Sequence, residues 1–206
     1  MRLKAGKRPS FMEIAMMNNE DVVLLDAAWQ PCGTMPKNQV HTHHTPLHLA
    51  FSCYLFTPEG NVLATRRALS KTAWPGVWTN SFCGHPLPQE ALAQAVRRRA
   101  QVELGTEVEQ IMLLSEAFSY QATDASGVME NEVCPVFAAQ IKGTLHGNPD
   151  EVADYAWVEL NHLMAAVKLT PFAFSPWMVS QLNTEAITSG LKEYRDAIMI
   201  TRSAGA

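Results

Sequence analysis

Three histidines and two glutamates are the residues whose types suit metal chemistry: His41, His48, His85, Glu130 and Glu132. Glu130 and Glu132 stand two apart in a stretch patterned as a strand, so both side chains point to one face. Carboxylates held side by side repel unless a proton or a cation lies between them. Imidazole nitrogens with carboxylate oxygens suit a borderline transition metal, Mn²⁺ or Zn²⁺, in a five- or six-coordinate site. No compact zinc spacing is present, and scattered histidines are commonly solvated or buried without a metal, as His43 and His44 are expected to be. A second pair, Arg99 and Glu103, stands one helical turn apart. It reads either as a surface ion pair or as a helix offering one carboxylate to a divalent cation beside a diphosphate.

Elements must carry these groups, and composition bounds them. The chain has 206 residues, of which 47% are hydrophobic and 17% charged, enough for one domain with a sizeable core and incompatible with a disordered chain. A formal charge of -4 leaves no protein-wide cationic field for nucleic acid. No apolar run reaches the roughly 20 residues of a membrane-spanning helix. Cys32, Cys53, Cys83 and Cys134 form no CxxC pair, so reduced thiols in a cytoplasm are expected. Residues 1–20 are basic and then apolar, but Pro9, Glu13, Asn18 and Asn19 interrupt them and no small-residue cleavage site follows. They read as an N-terminal extension ahead of a domain at 21–183, with 184–206 a C-terminal helical tail suited to packing, a lid or a dimer contact.

Strands are expected at residues 22–26, 49–56, 62–67, 111–122, 130–141 and 155–160, and the polar run from Gln30 to Gly33 ends the first. A helix is expected over 89–104, with Leu92, Ala95, Val96 and Val102 near one face and Gly105 as its stop. Asn161 is the expected N-cap of a short helix through Val167, and the chain reads as helical from Pro171 onward. Strands interleaved with one strong helix, and helices at the end, give an α/β fold: a mixed-sheet α/β/α sandwich with additional C-terminal helices.

Gly84, Glu90, Arg98, Glu103 and Gly105 follow in the order Gly, five residues, Glu, seven residues, Arg, then Glu-x-Gly. That order resembles the signature of the Nudix superfamily, a loop-helix-loop that handles diphosphates with Mg²⁺. Arg99 and Val102 stand where hydrolases of the superfamily carry glutamates that gather metals to activate water, so the resemblance implies poor hydrolysis. Over about residues 20–183 the chain further resembles the bacterial form of type I isopentenyl diphosphate isomerases. The matching stretches are His41 with His48, Thr65 to Arg67 with Lys71, Trp74 through Asn80, Ser81 through His85, Tyr120, Glu130 to Glu132, and Phe174 through Trp177.

The resemblance implies a Nudix-like fold and an enzyme of isoprenoid biosynthesis that moves a double bond between isopentenyl and dimethylallyl diphosphate. An alkene protonated at one carbon and deprotonated at another passes through a tertiary carbocation, which needs an acid, a base, a cation stabiliser and a dry pocket. By resemblance, Cys83 and Glu132 flank the substrate, Tyr120 bonds to Glu132, and Trp177 turns its π-face to the cation. Glu132 joins His41, His48, His85 and Glu130 around the transition metal. Lys37, Arg67, Lys71 and Arg99 are the candidates for the diphosphate, with Mg²⁺ on Glu103 and a backbone contact from Cys83 admitted. The expected partner is a small-molecule isoprenoid diphosphate, neither nucleic acid nor membrane, with a homodimer left open. Two other readings stand beside this one: a Nudix hydrolase of a nucleotide or prenyl diphosphate, and a non-catalytic binding module that keeps the fold. The missing carboxylates weigh against the first, and the presence of Cys83, Glu132 and Tyr120 against the second.

Overall fold

A computed structural model describes residues 20–204. In chain order its elements are β1 (Asp21–Leu25), β2 (Pro31–Pro36), α1 (Lys37–Val40), β3 (His48–Leu49), β4 (Phe51–Phe56), β5 (Asn61–Arg67), β6 (Trp78–Thr79), β7 (Phe82–Gly84), α2 (Leu92–Leu104), β8 (Glu107–Ser115), β9 (Ser119–Thr123), β10 (Met129–Val133), β11 (Val136–Lys142), β12 (Val152–Glu159), α3 (Leu160–Leu169), α4 (Pro176–Leu182) and α5 (Glu185–Ala204). The larger sheet runs β12-β5-β4-β11-β8, with β6 on β5 and β7 on β4; the smaller runs β2-β1-β3-β10-β9.

Every residue of β4 is buried, and its side chains alternate between two cores. Phe51, Cys53 and Leu55 pack with Ala95, Val96, Ala100 and Leu104 of α2 on one face. Tyr54 and Phe56 pack on the other with Leu160 and Leu163 of α3, Met178 of α4 and Ile187 and Leu191 of α5. A sheet buried on both faces needs helices on both, and the expected α/β/α sandwich results. The C-terminal helix, expected as a tail, shares this core through Ile187, Leu191, Tyr194 and Ile198. Among the described residues no helix is long and apolar enough to cross a membrane.

Two strands expected to be continuous are divided. The 111–122 stretch becomes β8 and β9, and 130–141 becomes β10 and β11, with the two parts of each in different sheets. Pro135 has no N–H to donate and breaks the second ladder. Backbone bonds bind the crossings together: Ala50 N–H donates to Val133 O at 2.9 Å, Ser52 N–H to Pro135 O at 3.0 Å and Cys134 N–H to Phe118 O at 2.8 Å. The Gln30–Gly33 run does not end the sheet there, because Pro31 begins β2, which pairs with β1. Helix α2 starts at Leu92 with Ala91 as its cap residue, three residues later than the pattern suggested. The N-cap of α3 is Glu159, not Asn161; its carboxylate accepts the His162 N–H at 3.0 Å. After Pro171 the chain makes a 3-10 turn over Pro171–Ala173 before α4.

Gly105 stops α2 in the left-handed conformation, φ 58°, and its N–H donates to Gln101 O at 3.2 Å. A Cβ there would lie 2.6 Å from the carbonyl oxygen of His146. Gly105→Ala should therefore lower the unfolding free energy by about 1–3 kcal/mol. Chemical denaturation checks this, and an unchanged midpoint would show that the loop at His146 yields freely.

Candidate active site

Strand register builds the centre of the site. In the smaller sheet, His48 of β3 lies beside Glu132 of the parallel β10. Glu132 in turn faces Tyr120 of the antiparallel β9. Backbone pairing alone thus sets an imidazole, a carboxylate and a phenol in a row. Tyr120 Oη donates to Glu132 Oε2 at 2.9 Å. Glu130, two residues earlier on the same face, brings Oε2 to 3.0 Å from His41 Nε2, which follows α1. His85, just after β7, brings Nε2 to 3.3 Å from Glu132 Oε1 and 3.3 Å from His48 Nε2. His43 and His44 are exposed.

This donor set fits a divalent cation. The ligand atoms of His41, His48, His85 and Glu132 all lie within 4.8 Å of one another. His48 Nδ1 lies 2.9 Å from Pro46 O, so that nitrogen carries the proton and Nε2 turns its lone pair toward Glu132 Oε1, 3.4 Å away. Among the described residues, buried His41 Nε2, His85 Nδ1 and Glu130 Oε2 have no hydrogen-bond partner. Lone pairs facing one another in a buried place call for a positive charge between them. Donors about 2.1 Å from one ion lie about 3.0–3.4 Å apart at ordinary coordination angles, close to the spacings here. Burial and neighbouring charges also act on the protons of these groups. Burial works against a charge on His48, but the hydrogen bond and charge of Glu132 outweigh it and raise its imidazole. Burial drives His85 down to about 3. Burial also opposes ionisation of Glu132, yet His48 and His85 overcome it and hold the carboxyl well below the usual range.

Cys83 and Trp177 come from other elements. Both line a cavity of about 1020 Å³, as do Tyr120 and Glu132. Burial pushes the Cys83 thiol up to about 12, against hydrogen bonds from Ser52 and Asn80. Trp177 on α4 is 2% exposed and donates Nε1–H to Asn80 Oδ1 at 3.0 Å. Its ring meets Tyr120 at 5.7 Å between centroids and Trp74, edge to face, at 5.7 Å. Trp74 holds φ 46°, costly for a bulky residue. Its N–H donates to Asp124 Oδ2 at 3.1 Å, and the same carboxylate ties down Ser126 and Val128. The sequence marked Asn80 and Trp74 only as parts of a matching stretch, and nothing in spacing pointed to Asp124.

The basic residues Lys37, Arg67, Lys71 and Arg99 line the same cavity. Arg99 and Glu103 are not a surface pair: they are 3% and 8% exposed, joined by a 2.7 Å bond. Burial opposes the charge on Arg99, but Glu103 and Glu151 raise its pKa further. Two carboxylates were missed. Glu151 accepts from Arg99 Nη2 at 3.1 Å and pairs with Lys71 Nζ. Glu20 takes Lys37 Nζ at 3.0 Å and lies 3.6 Å from Arg99 Nη1. Burial and the charge of Arg99 lower the Lys37 pKa, with Glu20 opposing. Arg67 instead donates to Ala73 O from Nε and Nη2 at 3.1 and 2.8 Å, and its guanidinium lies 5.4 Å from the Trp177 ring centroid. Gly84 is needed because Arg99 crosses it: a Cβ there would come 2.5 Å from Arg99 Cγ. Glu90 and Arg98 act structurally. Arg98 grips the Glu90 carboxylate with two bonds of 2.8 Å and donates to His85 O at 2.9 Å, which steadies the loop carrying that imidazole.

Burial raises the Glu151 pKa, but Lys71 and Arg99 bring it down to about 2. A carboxyl with its folded pKa depressed adds stability above its unfolded value and loses it as pH falls through the folded one. The substrate-free protein should therefore exceed Glu151→Gln in unfolding free energy above about pH 4.5, with the gap shrinking toward pH 2. Denaturant titrations at stepped pH measure it, and a gap independent of pH would count against this pairing.

Comparison with known proteins agrees with the geometry. Residues 46–178 match the NUDIX domain. An isopentenyl-diphosphate Delta-isomerase of Salmonella paratyphi B is 51% identical over 178 residues, covering 86% of this chain and 98% of that protein. One from Kocuria rhizophila is 53% identical over 172 residues, covering 84% and 96%. One from Agromyces mediolanus is 56% identical over 162 residues, covering 79% of each. A crystal structure from Deinococcus radiodurans superposes with a TM-score of 0.61 at 18% identity, over 79% of this chain and 97% of that one, a likeness of fold. With a NUDIX domain over most of its length and about half of the aligned residues shared with these enzymes, the chain belongs to the isopentenyl-diphosphate Delta-isomerase family.

Proposed function

We propose that Cys83 and Glu132 exchange the protons by which this isomerase interconverts isopentenyl and dimethylallyl diphosphate. A proton added to the terminal methylene carbon leaves a tertiary cation, and loss of a proton from the adjacent chain carbon forms the new double bond. One proton enters and one leaves, so no oxidant, reductant or co-substrate is consumed. Since the reaction is reversible, the group that serves as acid in one direction serves as base in the other. The observation that carries this reading is that Cys83, Glu132, Tyr120 and Trp177 all line one cavity. Tyr120 orients the Glu132 carboxylate through its 2.9 Å hydrogen bond. Trp177 offers its π-face to the cation, a contact worth roughly 2 kcal/mol when desolvated. The cation-π contact of Arg67 with that ring, at 5.4 Å, is consistent with such a role.

The diphosphate would lie against Lys37, Arg67, Lys71 and Arg99. Their charges are offset by Glu20, Glu103 and Glu151, which leaves a small net positive charge for a substrate anion already partly neutralised by Mg²⁺. Glu103, with a backbone contact from Cys83, would hold that Mg²⁺. His41, His48, His85, Glu130 and Glu132 would hold Mn²⁺ or Zn²⁺, which supplies a fixed positive charge that orients the Glu132 carboxylate. Arg99 standing where hydrolases carry a carboxylate supports binding over water activation. Four free cysteines support a reducing compartment, the cytoplasm, and the formal charge of -4 supports a small-molecule partner over nucleic acid.

Isopentenyl diphosphate incubated with the metal-loaded protein in deuterated water, followed by NMR, tests the reaction. Dimethylallyl diphosphate carrying deuterium, with no phosphate released, is the expected result; phosphate release would mean a hydrolase, and unchanged substrate a binding module. Cys83→Ala should lower kcat by at least about 10²–10⁴-fold while transition-metal content stays full. His41→Ala should lose the transition metal by elemental analysis together with most activity, and full occupancy there would remove His41 from the ligand set.

A further inference from the structure

Behind Cys83 runs a line of buried polar groups with no part in the metal or diphosphate sites. Ser52 and Tyr54 stand two apart on β4 and face the same side. Gln181 stands one helical turn beyond Trp177 on α4. All three are 0% exposed. Tyr54 Oη donates to Gln181 Oε1 at 2.9 Å, and Gln181 Nε2 donates to Ser52 Oγ at 2.9 Å. Ser52 Oγ then lies 3.4 Å from Cys83 Sγ and 3.4 Å from Cys134 Sγ. From its other side, Asn80 meets Cys83 Sγ with Nδ2 at 3.3 Å and Oδ1 at 3.4 Å.

Direction matters in this line. With the phenol donating to its oxygen, the Gln181 amide must turn its NH₂ to Ser52. With its lone pair taken by that NH₂, Ser52 keeps its own hydrogen to give, and the acceptors within reach are the two sulfurs. A phenol, an amide and a hydroxyl buried together cost more than apolar side chains of equal size unless each is paired, and here each is. The line ends on two sulfurs, and of the pair Cys83 lines the reaction cavity.

We infer that Tyr54, Gln181 and Ser52 form a positioning relay for the isomerisation, which aims the Ser52 hydroxyl at Cys83 Sγ and holds that sulfur in place before the substrate. When the Cys83 proton is on the substrate carbon, the sulfur keeps the electron pair of the S–H bond, and the Ser52 hydroxyl donates to it. When the proton returns, Ser52 and the adjoining Asn80 amide keep the sulfur from drifting. The relay rests on the proton exchange proposed for Cys83, and Tyr54 acts only through Gln181 and Ser52.

The full, metal-loaded chain tests it in the same deuterium assay, with Tyr54→Phe, Ser52→Ala, the double variant and Cys83→Ala side by side. Tyr54→Phe keeps the ring in the core and should lower kcat about three- to tenfold, the weight of one neutral hydrogen bond, with KM and metal content unchanged. Ser52→Ala should lower kcat about 10- to 100-fold. The double variant should be no slower than Ser52→Ala, because Tyr54 has no other route to the thiol. The infrared S–H band that disappears in Cys83→Ala should shift in Tyr54→Phe. Wild-type kcat in Tyr54→Phe, or losses that multiply in the double variant, would reduce these residues to core packing. If Ser52→Ala fails to fold, Tyr54→Phe with its infrared band decides alone. Turnover surviving in Cys83→Ala would overturn the role of Cys83 itself, an outcome distinct from a dead Cys83→Ala beside an unaffected Tyr54→Phe.

Discussion

Leaving their turn as a hairpin paired at Phe56 and Val62, β4 and β5 then part, and the site depends on what fills the gap. The chain from Trp78 to Gly84 enters it, β6 pairing with β5 and β7 with β4. Backbone groups exposed by the parting must find partners inside the protein. Ser81 supplies two: its hydroxyl accepts from Leu55 N–H and donates to Leu63 O, both at 2.7 Å, and so spans the two strands. Asn80 donates to Cys53 O at 3.1 Å and Phe82 O at 2.9 Å. Thr65 on β5 donates to Asn80 O at 2.9 Å. These bonds tie the wedge to both strands, and it carries Cys83 near its end.

The same wedge couples two chemistries. Asn80 Oδ1 accepts from Trp177 Nε1 while its amide touches Cys83 Sγ, so the thiol and the indole share one anchor. Gly84 closes the wedge and lets Arg99 pass close by, which brings that guanidinium beside the same loop. One short segment therefore sets the distance between the Cys83 thiol, the aromatic wall and a buried guanidinium. A second constraint is charge. Buried cations without partners would be costly, and Glu20, Glu103 and Glu151 offset Lys37, Lys71 and Arg99. Arg99 is 3% exposed, and Glu103 and Glu151 are the neighbours that make its burial tolerable.

Much of this was legible in the residue order. Runs of apolar, strand-forming residues marked β4 and β5, and apolar spacing ending at Gly105 marked α2. The histidines, Glu130 and Glu132 were legible as metal-ligand types, and the matching stretches pointed to Cys83, Tyr120 and Trp177. The division of 111–122 and 130–141 between two sheets was not, because both halves keep strand-forming side chains across the crossing. Nor was the N-cap of α3, where Glu159 and Asn161 are both able acceptors and only the chain direction chooses between them.

By itself the sequence determined which groups are present and which short-range elements carry them: strand and helix patterns, a stop and the side-chain types are local properties. Tertiary structure decided which of those groups meet. Register across β3, β10 and β9 set His48, Glu132 and Tyr120 in line. Packing of α4 on β4 brought Gln181 to Ser52, and folding brought Glu151 to Arg99 across 52 positions of chain. Such contacts depend on the positions of elements distant in the chain. No local pattern encodes them, because a carboxylate or an amide looks the same in sequence whether it faces water or a buried partner.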